Sequence, residues 1–118
     1  VVIARKDPKT GLTVTSIGKD AFGKNTTVTE IVIPDTVTEI GDEALKDCKN
    51  LEKVYLPTSL TKLGTYVFPG SENLTLYYAG TKAQLDTLFA NSAGWAVPYQ
   101  KYNFVLGDGT KYPYLLEY

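Results

Sequence analysis

Apolar residues return in a fixed order between residues 14 and 79. In "IVIPDTVTEIG", residues 31–41, two apolar residues flank an outward position and a proline follows. Two polar residues, an apolar one, two more polar ones, an apolar one and a glycine complete the phrase. "VYLPTSLTKLG", residues 54–64, repeats it position for position. Aligning Val14, Val37 and Leu60 sets a period of 23 residues. The columns that follow are Ile17/Ile40/Leu63, Gly18/Gly41/Gly64, Ala21/Ala44/Val67, Phe22/Leu45/Phe68, Asn25/Cys48/Ser71 and Val28/Leu51/Leu74. After one deletion in the third unit, Ile31/Val54/Leu76 and Ile33/Leu56/Tyr78 align. Given the first unit, 14 later positions must be apolar in a chain that is 43% apolar. All are, roughly one chance in 10⁵ for a fixed alignment.

Each unit carries two extended signals, the alternating "TEIVIP" and the short "VTEI". Between them lies a compact turn, "GKDAFGKN" or "GDEALKDC". Its leading glycine is expected in a backbone conformation closed to other residues. The proline after "IVI" and "VYL" cannot donate to a ladder and ends the strand. One unit cannot bury its own apolar face, but stacked units can, with parallel strand pairing between neighbours. The pattern therefore predicts an α/β solenoid of about three 23-residue coils starting near 14, 37 and 60, with a partial coil before 14.

The phrases "VTSIGKDAF", "VTEIVIPDTVTEIGDEAL" and "NLEKVYLP" resemble the BspA-like leucine-rich repeat family of bacterial surface proteins. "IGKDAF" and "IVIP" match at Ile17 to Phe22 and Ile31 to Pro34; "IGDEAL", Cys48, Leu51 and "VYLP" match in the second unit. Asn25 and Ser71 stand where the family has cysteine, and Leu45 where it has phenylalanine. The similarity covers about Val14 to Ala79 and runs on into "LYYAGTKAQLDTL". The resemblance implies a right-handed stack and a non-catalytic interaction or adhesion module of a cell-surface or secreted protein, with a protein partner.

At Thr81 the period changes. "TKAQ" is a capping box, in which the Thr81 hydroxyl accepts from the Gln84 amide and the Gln84 side chain reaches back. Ala83, Leu85, Leu88 and Phe89 form one apolar helical face. A helix over 82–91 is expected to cover the open end of the stack. "YNFVLGDGTKYPYLLEY" then reads as a hairpin over 100–118 turning at Asp108-Gly109. Residues 1–80 are thus the solenoid and 81–118 its cap, within one domain. Tyr99, Tyr102, Tyr112, Tyr114 and Tyr118 cluster in this last stretch, either as packing of the terminal strands or as an aromatic binding surface.

Composition removes several classes of chemistry. With no histidine among 118 residues, neither a Ser-His-Asp triad nor an imidazole zinc site can be built. A single cysteine excludes an internal disulfide. The net charge of −1 carries no basic patch for nucleic acid. No apolar run is long enough to span a bilayer. The abrupt apolar opening "VVIARKDPKTG" reads as part of something longer. Asp42, Glu43 and Asp47 share a turn without a pocket to shift their acidity, and read as a solvated face. Cys48 reads as a buried ladder residue. Asn25 and Asn73 fit Asn-x-Thr, which matters only in a glycosylating host. "GDGT" lacks the other ligands of a calcium loop. Neither catalytic nor metal or cofactor-binding residues can be assembled, and an enzyme is not expected.

Functional residues are sought instead on the outward side of the long strands, because successive strand residues face opposite ways. If Ile31 and Ile33 point inward, Glu30 and Val32 point out, as do Lys53 with Tyr55 and Thr75 with Tyr77. Stacking places them in two columns, Val32–Tyr55–Tyr77 and Glu30–Lys53–Thr75, at steps of about 4.8 Å. Three readings follow: a protein-binding face, a glycan-binding face built on the tyrosines, and a passive spacer whose valines and tyrosines serve only the strand.

Overall fold

The computed structural model describes residues 3–22, 25–68, 74–92, 103–107 and 111–113. The turn expected at Asp108-Gly109, Ser71, the Asn73 sequon and Tyr99, Tyr102, Tyr114 and Tyr118 lie outside them.

The period of the sequence becomes two parallel ladders. The short signals are β1 (Ser16–Ile17), β3 (Glu39–Ile40) and β5 (Lys62–Leu63), a three-stranded sheet in which Ile17 lies beside Ile40 and Ile40 beside Leu63. The long signals are β2 (Glu30–Val32), β4 (Lys53–Leu56) and β6 (Thr75–Tyr78), which pair in parallel at the offsets of the repeat. β7 (Asn103–Leu106) joins this second sheet parallel to β6, and β8 (Lys111–Pro113) pairs antiparallel with β7. The strand order is β2-β4-β6-β7-β8. This is a repeat solenoid: equal segments lie over one another and share one interior.

The interior is assembled row by row. Ile31, Val54, Leu76 and Phe104 form one row across the long sheet, each at most 1% exposed. Val28, Leu51 and Leu74 are buried, and so is Cys48. Removing such an aliphatic side chain from water stabilises by roughly 1.5–3 kcal/mol. The threonines of "VTS", "VTE" and "LTK" tie the coils together at the surface. Thr38 donates its amide at 2.8 Å and its hydroxyl at 3.3 Å to the Thr15 carbonyl. Thr61 does the same to Thr38, at 2.8 and 3.1 Å.

The leading glycines serve a different purpose from the one expected. Among the described glycines only Gly11 has a positive φ, 72°. Among the described non-glycine residues the left-handed ones are Asp20, Glu43 and Tyr66, with φ of 56°, 57° and 52°, each two positions after a repeat glycine. The glycine is required by the neighbouring coil. A Cβ on Gly41 would lie 2.7 Å from the Lys19 amide nitrogen, and one on Gly64 would lie 2.5 Å from that of Asp42. Backbone meets backbone there, and no side chain fits between them.

Helix α1 (Lys82–Ala90) follows β6 and carries the chain across to β7. Both halves of its capping box form: Thr81 Oγ1 accepts from the Gln84 amide at 3.3 Å, and Gln84 Oε1 accepts from the Thr81 amide at 2.9 Å. The helix ends one residue before the expected limit, with Asn91 as its C-cap. Leu85, Leu88 and Phe89 are buried, but Ala83 is exposed, so the apolar face is narrower than its spacing implied. Just past the helix, Ser92 accepts the Leu63 amide at 2.8 Å and donates to the Leu88 carbonyl at 2.7 Å. The short sheet thus stops at β5 with a helix end against it, while the long sheet runs on. At the other end, Ile3 donates to the Val32 carbonyl, Lys6 and Thr13 form an antiparallel bridge, and Arg5 pairs with Asp35 at 2.9 Å.

Candidate functional site

Inward burial of Ile31, Val54 and Leu76 turns the intervening residues outward. The six expected surface residues fall on one side of the long sheet, in the expected register. Glu30 pairs with Lys53 and Lys53 with Thr75; Val32 pairs with Tyr55 and Tyr55 with Tyr77. Val32, Tyr55, Thr75 and Tyr77 are half-buried, whereas Glu30 and Lys53 are exposed.

β7 lengthens both columns. Asn103 continues the polar one beside Thr75, and Val105 continues the apolar one beside Tyr77. Sequence reasoning missed these two residues, because "NFVL" lies beyond the repeat and no periodic partner marks it. The one available signal was its alternation, read as half of a hairpin.

Tyr55 and Tyr77 stack with ring centroids 4.7 Å apart and planes 18° from parallel. Burial, together with the Glu30 carboxylate that accepts a hydrogen bond from its hydroxyl, pushes Tyr55 up from the ordinary phenol range. The face is a row of Val32, two stacked phenol rings and Val105, flanked by a polar column. At its downstream end a shallow notch of about 210 Å³ opens between Tyr77, Ala79, Val105 and Gly107. Its lining among the described residues is apolar apart from backbone and tyrosine hydroxyls. Chemically, the arrangement can cover an apolar side chain and hydrogen-bond at its rim; it holds no nucleophile–base pair.

The remaining candidates have structural roles. Asp42 bridges coils: its Oδ1 accepts from the Thr65 amide at 2.8 Å and the Thr65 hydroxyl at 3.3 Å. The hydrogen bond from the Thr65 amide, helped by the Thr65 hydroxyl and the nearby Lys19 and Lys62, holds Asp42 below the ordinary carboxylate range against desolvation, the second-largest influence and the one that opposes it. Asn25 Oδ1 accepts from the Thr27 amide, the Thr27 hydroxyl and the Val28 amide, closing its turn. Desolvation raises the Cys48 thiol above its usual range, so the thiolate of a reactive cysteine is disfavoured. Tyr66 is 65% exposed, with the Lys46 ammonium 5.6 Å from its ring centre.

A family model described as BspA type leucine rich repeat region (6 copies) matches residues 8–92. No curated protein and no solved structure matches the chain.

Proposed function

The chain belongs to the BspA type leucine-rich repeat family, and from that premise we propose that it is a non-catalytic protein-interaction module of a cell-surface or secreted bacterial protein. The outward face of the long sheet is its binding surface. We read the architecture as a right-handed stack of about three coils closed by α1 and the β7–β8 pair. The observation that carries the reading is the Val32–Tyr55–Tyr77–Val105 row, held in register across four parallel strands.

Two features favour a protein partner on this face. Tyrosine buries a large ring while keeping a polar tip, which is why it is enriched at protein interfaces. Mutual stacking of Tyr55 and Tyr77 also covers one face of each ring. A sugar lying on an aromatic side chain needs an open ring face, and the stack leaves at most one on each tyrosine, which favours a polypeptide over a glycan.

The test immobilises the intact domain and measures binding to a panel of purified host and extracellular-matrix proteins, with a glycan array in parallel. Replacing Tyr55 and Tyr77 by serine is expected to weaken the captured protein at least about tenfold, as truncating interface anchors does. Undiminished binding by the double variant removes the face from the interface. Silence of the intact domain across the panel supports a passive spacer.

A further inference from the structure

A second concave feature lies where the repeat gives way to the helix. The turn after β4 and helix α1 leave between them a cleft of about 320 Å³. That falls at the lower end of small-ligand sites, roughly 300–1,000 Å³. Its floor is Leu60, Tyr78 and Leu88, at 4%, 3% and 2% exposure. Its rim carries Thr58, Thr61, Gln84, Thr87 and Asn91, all exposed. Among the described residues no charged side chain lines it. The charges of the same helix, Lys82 and Asp86, pair with each other at 3.0 Å.

Gly80 lets three of the lining side chains come close together. A Cβ there would lie 2.5 Å from Gln84 Oε1, 2.7 Å from Tyr78 Cε2 and 3.0 Å from Thr58 Cγ2. Three lining residues therefore converge on a point where a side chain is absent. Gln84 Oε1 is committed to the Thr81 amide, which fixes the side chain and leaves its NH₂ group without a partner among the described residues. The Thr58 hydroxyl and the Asn91 carboxamide are likewise uncommitted among the described residues. The Thr61 and Thr87 hydroxyls each donate to a carbonyl, of Thr38 and Ala83, and keep lone pairs to accept with.

The geometry points to a binding site for an uncharged, polyhydroxylated ring: a neutral saccharide unit. Its C–H face lies on Leu60, Tyr78 and Leu88, and its hydroxyls meet the Gln84 and Asn91 amides and the three threonine hydroxyls. The lining discriminates against the alternatives. An ion finds no opposite charge to offset its desolvation. A purely apolar ligand covers the two amides without pairing them, which weakens its binding. The site is separate from the long-sheet face and does not depend on it.

The experiment titrates the ¹⁵N-labelled chain with neutral oligomers of glucose and of N-acetylglucosamine, and with an acidic uronic-acid oligomer as the contrast. Expected are amide shifts at Leu60, Thr61, Gln84, Thr87 and Leu88 with neutral sugars, saturating in the millimolar range usual for single-ring sites, about 1 mM. Thr58→Val with Asn91→Ala removes two exposed polar groups and is expected to weaken the shifts at least about tenfold at an unchanged melting temperature. Tyr55→Ser with Tyr77→Ser leaves them as they are. Any of three results overturns the proposal: absence of shifts with every neutral oligomer, shifts confined to the Tyr55/Tyr77 face, or an equal response to the acidic oligomer.

Discussion

Gly18 and Gly64 occupy the same column of the repeat, two coils apart, in turns built to one plan. Around Gly64 an added Cβ would lie 2.5 Å from the backbone of the previous coil; around Gly18 nothing comes within 4 Å. The alanines tell the same story. Ala44 is completely buried, while its counterpart Ala21 is exposed. The same residue is indispensable in one coil and idle in another because its role belongs to an interface, and the described part of the first coil has no earlier turn beside Gly18. A repeat column therefore records what a coil must offer its neighbour. It does not record the conformation of the coil on its own.

This contrast is tested most severely by alanine at the two glycines. Gly64→Ala is expected to cost about 3 kcal/mol or more, since backbone cannot yield as a side-chain tip does. Gly18→Ala is expected to be neutral, or stabilising by about 0.5 kcal/mol through the unfolded state. Urea denaturation of both variants checks it; equal losses would show that the glycine answers to its own backbone after all.

The ends of the two sheets give the next largest effect. Ser92→Ala leaves the buried Leu63 amide without its acceptor, at a cost of about 2 kcal/mol. Hydrogen exchange at Leu63 is then expected to accelerate, while exchange at Leu76, inside the sheet that continues, does not.

Glu43→Gly sharpens the point about backbone conformation. Glycine relieves the left-handed strain where it is actually found, two residues past Gly41, and is expected to stabilise by about 0.5 kcal/mol. Gly41→Ala, beside it, destabilises. A melting temperature moving the opposite way in either variant would contradict the assignment.

The smallest effect is a pH dependence of the same inter-coil contact. Asp42 has its acidity strengthened on folding, so the unfolded chain binds its proton more readily. The stabilisation it provides is present above the ordinary carboxylate range, near pH 4, and disappears as pH falls through the lower folded value. Asp42→Asn is expected to be less stable than the parent at neutral pH and to converge with it as pH falls through the lowered folded value of Asp42. A constant gap across that window would mean that the carboxylate charge is not what holds Thr65.

Much of the fold was legible because two periods coincide. Alternation within a strand identifies Ile31 and Ile33 as inward and Val32 as outward, and the 23-residue recurrence lays Tyr55 and then Tyr77 beside it. The candidate face is legible in the residues alone for that reason. Asn103 and Val105 could not, because the chain reaches β7 through a helix and a stretch without repeat. Nothing local says that a strand pairing antiparallel with β8 also pairs in parallel with β6. Ala83 shows the same limit: helical spacing puts it near Leu85 and Leu88, but the helix leans on the stack through a narrower stripe.

Residue order alone settled the period, the two strand signals of each coil, the inward and outward sets, and the capping box at Thr81. These rest on backbone geometry and on neighbours a few residues away. Tertiary contact decided the rest: why Gly41 and Gly64 lack a side chain, which turn residues take the left-handed backbone, where the short sheet ends against Ser92, and which strand extends the long one. Each of these depends on how closely two distant pieces of backbone approach, a distance of two or three ångströms that no local pattern encodes.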